Sequence, residues 1–191
     1  MLIADDIELR RATVADAAAL AEAHLRNIEH LRSIEPYRAP DFYTAETHAA
    51  RIAEDGGATW LLFDTAAGGR VVGRLALSGI VLGPLCSASL GYWVDGEYRG
   101  RGLIPAAVEE VCRAARDELG LHRVEAGTLT DNKASQRVLA KCGFVEYGLA
   151  PKYLHINGEW RDHVLFQRLL HDDPPARLPP PPSTERSARP F

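Results

Sequence analysis

A mixed domain of the α+β class is what the amino-acid sequence predicts, on three grounds. The hydrophobic period is helical from Thr13 to Ile52 and becomes strand-like from Ala58 onward. A helical stretch from Ile104 to Leu119 separates the apolar strand Leu90 to Val94 from the next strand, His122 to Thr128. Two strands joined by a helical crossover run parallel. Near the end, Asn157-Gly158 links two β-rich runs, a strong hairpin signal.

The elements follow in order. Ile7 to Arg10 reads as a short strand with Ile7 and Leu9 on one face. Thr13 begins a helix, and Asp16 three residues on completes a start resembling a capping box. Leu20, His24, Ile28 and Leu31 carry its apolar stripe, and the chain leaves helical geometry before Pro36. Pro36 to Tyr43 is a loop; Thr44 caps a second helix through Ala45, Ala49 and Ile52, which Gly56 should terminate. Thr59 to Asp64 is a strand, Gly68-Gly69 a hairpin turn, and Val71 to Val81 a long strand bent at Gly73 or Gly79. Ser87 to Val94 follows, so these strands form an antiparallel meander. The helix opening at Ile104 and Pro105 buries Ala107, Val108, Val111 and Ala115 and ends at Gly120. After the strand from His122, Asn132 caps a helix that ends at Gly143, and Phe144 to Tyr153 and Trp160 to Leu169 are the last strands.

Length predicts one domain, residues 1–170, and a tail, 171–191, that holds seven of the chain's twelve prolines and should be disordered. A net charge of −4 argues against a basic nucleic-acid-binding face. Cys86, Cys112 and Cys142 show no metal-ligand spacing and read as buried reduced thiols. MLIADDIELRR lacks a basic segment before an apolar core, and no apolar run is long enough to span a bilayer. A cytoplasmic protein, free of membrane, nucleic acid and metal, is expected.

Function centres on Tyr92 to Ile104, YWVDGEYRGRGLI: a strand, a basic loop with Gly100 and Gly102, and a helix N-terminus. Unpaired amides and a partial positive charge at such a terminus suit a phosphate. Only two of the three glycines of the dinucleotide fingerprint are in place, and the Gly-Lys-Ser/Thr of nucleoside-triphosphate loops is missing. A second string, Asn132-x-x-Ser135-x-Arg137-Val138-Leu139-x-Lys141-x-Gly143-Phe144, follows about 30 residues later. Together the two resemble the signatures of the GCN5-related N-acetyltransferases (GNAT), although Ile104 stands where Gly or Ala is usual. LGYWV at Leu90 to Val94, the RGRGL loop, His30-Leu31, FYT at Phe42 to Thr44 and INGEWRDHVLF at Ile156 to Phe166 resemble the RimJ/RimL branch, the ribosomal-protein-alanine N-acetyltransferases. That branch commonly has Trp before Glu-Pro in its early loop, where this chain has Ser33 and Ile34 before Glu35 and Pro36.

The resemblance implies a mostly antiparallel seven-stranded sheet, splayed between its fourth and fifth strands and flanked by about four helices. It implies acetyl-CoA as cosubstrate, with the pantetheine arm along the backbone of Trp93 and Val94. The diphosphate would lie on Arg99, Gly100, Arg101, Gly102, Leu103 and Ile104, and Asn132, Ser135 and Arg137 would supply further contacts. Transfer requires an oxyanion donor near Val94, a proton for the departing thiolate from Ser135, and a base. Glu125, His24, His30 and Glu35 are candidate bases, and Ser135 and Glu125 are the residues expected to be catalytic. An α-amine titrates near about 8, so a strong base is dispensable for a chain terminus and matters more for a lysine. The expected acceptor is the N-terminus of a ribosomal protein. A small-molecule amine, such as an antibiotic or amino acid, and a non-catalytic acyl-CoA-binding module are the alternatives. Either a monomer or a homodimer is compatible with the sequence.

Overall fold

The computed structural model describes residues 1–54 and 57–175. Gly56 and residues 176–191 of the expected tail lie outside them. The strands are β1 (Leu2–Ala4), β2 (Ile7–Arg11), β3 (Gly57–Asp64), β4 (Arg70–Val81), β5 (Ser87–Val94), β6 (Arg123–Leu129), β7 (Val145–Ile156) and β8 (Glu159–Leu169). The helices are α1 (Ala17–Arg26), α2 (Ile28–Leu31), α3 (Ala45–Ala53), α4 (Leu103–Asp117) and α5 (Lys133–Lys141).

All eight strands form one sheet in the order β1-β2-β3-β4-β5-β6-β8-β7. Every neighbouring pair is antiparallel except β5–β6, as the α4 crossover requires. The sheet has one strand more than expected, because Leu2–Ala4 folds back on β2 through the turn at Asp5 and Asp6. A three-residue run carries too little periodicity to read as a strand. The bend anticipated in β4 at Gly73 or Gly79 occurs at both places, as register shifts beside Gly73 and between Ser78 and Val81. At Gly73 a Cβ would stand 2.8 Å from Leu62 Cδ1 and 3.0 Å from the Trp93 carbonyl, so the bend depends on glycine.

The first predicted helix is broken in two. Asn27 interrupts it between α1 and α2, with its side-chain amide donating back to the Ala23 carbonyl (3.0 Å) and its Oδ1 accepting from the Gly96 amide (3.3 Å). That side chain trades helix continuity for a tie to the end of β5. Upstream, Asp16 accepts from the Thr13 amide and hydroxyl, both at 2.8 Å, and Arg10 grips it bidentately at 2.8 and 2.7 Å.

Two apolar clusters cover the two faces of the sheet. Leu103, Ala107, Val108 and Val111 of α4 pack with Leu75, Leu77, Leu90, Val124 and Ala126. On the other face Leu20, Ala23 and Leu31 pack with Leu61, Phe63, Val71 and Trp93. Burying a side chain such as Val108 or Leu61, both 0% exposed, stabilises the fold by roughly 1.5–3 kcal/mol. Because side chains alternate, Tyr92 and Trp93 stand on opposite faces at the open end of β5. The three cysteines are buried and unbridged.

Candidate active site

Parallel pairing of β5 with β6 runs only from Ser87–Arg123 to Ser89–Glu125. Beyond it, Leu90 to Val94 stays bonded to β4 and Ala126 to Leu129 to β8, so the two strands part and open a wedge. The direction of the free backbone follows from alternation. The Asp95 amide donates to the Val72 carbonyl at 2.8 Å, which turns Asp95 and Trp93 toward β4 and leaves Tyr92 and Val94 facing the wedge. The Val94 amide is therefore available there. The backbone of Trp93 is turned toward β4, and the residue is 4% exposed, with its ring 5.0 Å from that of His24. A slot of about 400 Å³ runs through the wedge, walled by Leu90 to Trp93 on one side and Ala126 to Leu129 on the other.

At the end of β5 the chain is pinned before the basic loop begins. Asp95, 4% exposed, accepts from Arg26 Nε (2.8 Å) and Arg70 Nη2 (3.2 Å). Tyr98 is buried and donates to Asp64 at 2.6 Å, while the Arg101 guanidinium lies 5.0 Å from the Tyr98 ring centroid. Gly100 (φ 75°) and Gly102 (φ 76°) are both left-handed, and a Cβ on either would meet nothing within 4 Å. Left-handed glycines turn successive amides into one concavity, and among the described residues those of Gly100 to Ile104 donate to no carbonyl outside a helix. The first turn of α4 carries no acidic residue, so its positive end stays uncompensated.

On the α5 side, Asn132 Oδ1 accepts from the Ser135 amide at 3.1 Å, which caps the helix and aims its first turn at the slot. Ser135 Oγ lies 2.7 Å from the Tyr92 hydroxyl, and the Tyr92 hydroxyl also donates to the Ser135 carbonyl at 3.3 Å. Burial pushes the Tyr92 phenol up to about 12, against the hydrogen bond from Ser135, so it stays protonated and can donate. Arg137 is exposed on the next turn.

The four candidate bases are separated by the fold. Glu125 sits at the last paired position of the wedge, on the face opposite Val124 and Ala126, bonded to Arg123 and, at 3.2 Å, to the Tyr147 hydroxyl. It does not line the slot. His24 is 1% exposed and stacks on His48, with its pKa pulled down to about 3 mainly by burial. His30 also lies outside the slot. Glu35 does line it, and burial raises its pKa while Arg74, Arg38 and Arg51 pull the other way. A second cavity of about 590 Å³, along Ile28, Leu31, Tyr37 and Tyr43, shares Glu35, Pro36 and Arg38 with the slot.

Sequence reasoning gave no role to Tyr92, Arg74, Tyr153 or His163, yet all line the slot. A charged residue in the apolar run VVGRLALSGIV was the available signal for Arg74. Tyr153 and His163 gave none, since β7 must bulge between Ala150 and Leu154 to bring Tyr153 over Gly127. Among the described residues no group of three His, Cys, Asp or Glu could hold a metal, and no helix is long and apolar enough to cross a membrane.

Three comparisons bear on this geometry. The family model for the acetyltransferase (GNAT) domain matches residues 6–145. A Bacillus subtilis protein described as a probable N-acetyltransferase, YjcK, is 36% identical over 180 residues, covering 91% of this chain and 99% of its own length. The ribosomal protein uS5-alanine N-acetyltransferase of Escherichia coli is 35% identical over 107 residues, 56% of this chain and 55% of the relative. Among solved structures, the ribosomal-protein-S5-alanine acetyltransferase of Vibrio fischeri superposes with a TM-score of 0.84 at 31% identity, covering 88% of this chain and 96% of the other. RimJ of Mycobacterium smegmatis, in complex with CoA-disulfide, has a TM-score of 0.76 at 29% identity, with 85% and 81% covered.

Proposed function

The chain belongs to the GNAT acetyltransferase family and is an N-acetyltransferase, and on that premise we propose that it transfers acetyl from acetyl-CoA to the N-terminal α-amine of a protein, a ribosomal protein being the favoured class. The observation that carries this reading is the parting of β5 and β6 after Ser89 and Glu125, together with the open amides of Gly100 to Ile104 in the loop that follows β5. An unpaired strand edge offers an amide-rich arm the bonds a neighbouring strand would make, and the amide concavity at α4 suits a diphosphate. The residues present therefore fit acetyl-CoA. Bound, it supplies an activated thioester and a thiolate leaving group.

The roles of the side chains follow from their positions. Val94 N–H donates to the carbonyl oxygen as that atom gains negative charge. The amine lone pair forms the new N–C bond while the C–S bond breaks. Ser135 Oγ protonates the departing sulfur as it takes the Tyr92 proton across their 2.7 Å contact, and Tyr92 regains a proton from water entering the open slot. Glu35, at the far end of the slot, takes the amine proton directly or through water; burial that raises its pKa makes it a better acceptor near neutral pH. Asn132 holds Ser135 in place. The protein-terminus reading draws on the named acceptor of the Escherichia coli relative and on the open second cavity beside Glu35, which has room for residues behind the amine.

The test is direct. Acetyl-CoA at about a hundredfold excess over Kd should raise the melting temperature by about 5–10 °C. Mass spectrometry after incubation with a peptide and amine library should find N-terminally acetylated peptides. No thermal shift, or acetylation of side-chain and small amines alone, would overturn the reading.

A further inference from the structure

The slot is charged at its acceptor end, and the sign is positive. Arg38, from the loop after α2, Arg51, from α3, and Arg74, from the middle of β4, all line it, and among the described residues Glu35 is the one carboxylate that lines it with them. Arg38 and Arg74 are half-buried, and Arg51 is exposed at the rim. Arg38 and Arg51 lie 4.8 and 5.2 Å from the centroid of the Phe42 ring. The Nε of Arg38 is buried without an acceptor. Burial draws the pKa of Arg74 down to about 10, with Glu35 opposing and Arg51 and Arg38 reinforcing the fall.

Elsewhere this protein pairs its partly buried arginines. Arg10 meets Asp16, Arg26 and Arg70 meet Asp95, and Arg168 meets Glu109, all within 3.2 Å. Among the described residues, Arg38, Arg51 and Arg74 form no ion pair within 4.0 Å. Grouped cations in a cleft are costly until an anion joins them. Guanidinium forks suit a carboxylate. A polyamine would meet like charge here.

We infer that the acceptor carries a carboxylate close to its reactive amine, received by Arg38, Arg51 and Arg74, and that the enzyme selects N-termini followed by acidic residues. This rests on the reading of the slot as the acetyl-transfer site. Glu35 then faces the amine, and the second cavity, which shares Glu35 and Arg38, takes the chain beyond the acidic residue.

The experiment compares matched peptides that begin with Ala and continue with Glu-Asp, Gln-Asn or Lys-Lys, alongside free glutamate and spermidine. The acidic peptide should exceed the basic one by about tenfold or more in kcat/KM. The preference should shrink toward unity in Arg74→Gln and Arg38→Gln, chiefly through KM for the acidic peptide. Arg38 lies in a loop, so its variant keeps the test usable if Arg74→Gln fails to fold. Equal or better turnover of the basic peptide would overturn the charge assignment and leave the protein-terminus reading standing, whereas turnover of spermidine with none of any peptide would overturn both. Turnover confined to free glutamate would overturn the protein-terminus reading and leave the charge assignment intact.

Discussion

Past the end of β5 the backbone is set to receive an anion; within the slot, side chains are. The donor end uses the amides of Gly100 to Ile104, two left-handed glycines and the uncompensated start of α4, with Asp95 and Tyr98 anchoring the loop from beneath. The acceptor end uses Arg38, Arg51 and Arg74 around Glu35, braced against Phe42. A backbone site suits a ligand that never changes, because few substitutions alter an amide. A side-chain site can be retuned residue by residue, which fits the half of the reaction that differs among N-acetyltransferases. The contrast predicts that changes at the junction abolish transfer, changes at the reacting centre slow it, and changes beneath the acceptor wall act through stability.

The largest effect belongs at the junction. Gly91 lies on the slot wall, and a Cβ built there meets nothing within 4 Å. Gly91→Val should leave the strand intact, since β-branched residues suit strands, yet fill the passage. Transfer should fall below about one part in 10³ of wild type, with the melting temperature of the ligand-free protein nearly unchanged. Steady-state kinetics and a thermal melt decide it; retained turnover would mean the reactants meet elsewhere.

Next comes the proton donor. Ser135→Ala should lower kcat by about 10²–10³ with little change in acetyl-CoA affinity. Tyr92→Phe removes only the resupplying hydroxyl and should cost about tenfold. A larger loss in Tyr92→Phe than in Ser135→Ala would reverse the two roles.

Legibility followed the same division. The donor end was readable because its signals are local: the strand LGYWV, the loop RGRG and the cap at Asn132 lie within short windows, and each appears where expected, with the helix opening one residue early at Leu103. The meander and the Asn157-Gly158 hairpin were readable for that reason too. The acceptor end joins residues 35, 38, 51 and 74 from separate elements, and no window holds them together. Glu125 shows where period alone misleads. Alternation fixes the face on which its side chain stands, but only the register shows that it sits where the wedge is still closed. Asn27 broke a continuous apolar stripe because its amide found partners at Ala23 and Gly96, the latter 69 residues away.

The smallest expected effect concerns the base of the acceptor wall. His24 Nδ1 and His48 Nε2 are 3.2 Å apart, their rings stack at 4.8 Å, and they are 1% and 3% exposed. Their rings lie 5.5 and 5.3 Å from Phe42, the residue that braces Arg38 and Arg51. Burial is the main cause that lowers their pKa values, to about 3 for His24 and about 4 for His48, with nearby arginines adding to it. Both are thus neutral in the folded protein, whereas in the unfolded chain each takes up a proton below about 6.5. The unfolded state then binds more protons, so stability falls as pH drops from about 6.5 toward 4. The slope is at most about 1.4 kcal/mol per pH unit for each histidine. Urea unfolding at pH 7, 6 and 5 should reveal that decline, and His48→Gln should remove up to about half of the slope. Stability that stays level from pH 7 to 5 would mean the pair takes up protons without loss, and that the wall bearing Arg38 and Arg51 does not depend on two neutral imidazoles.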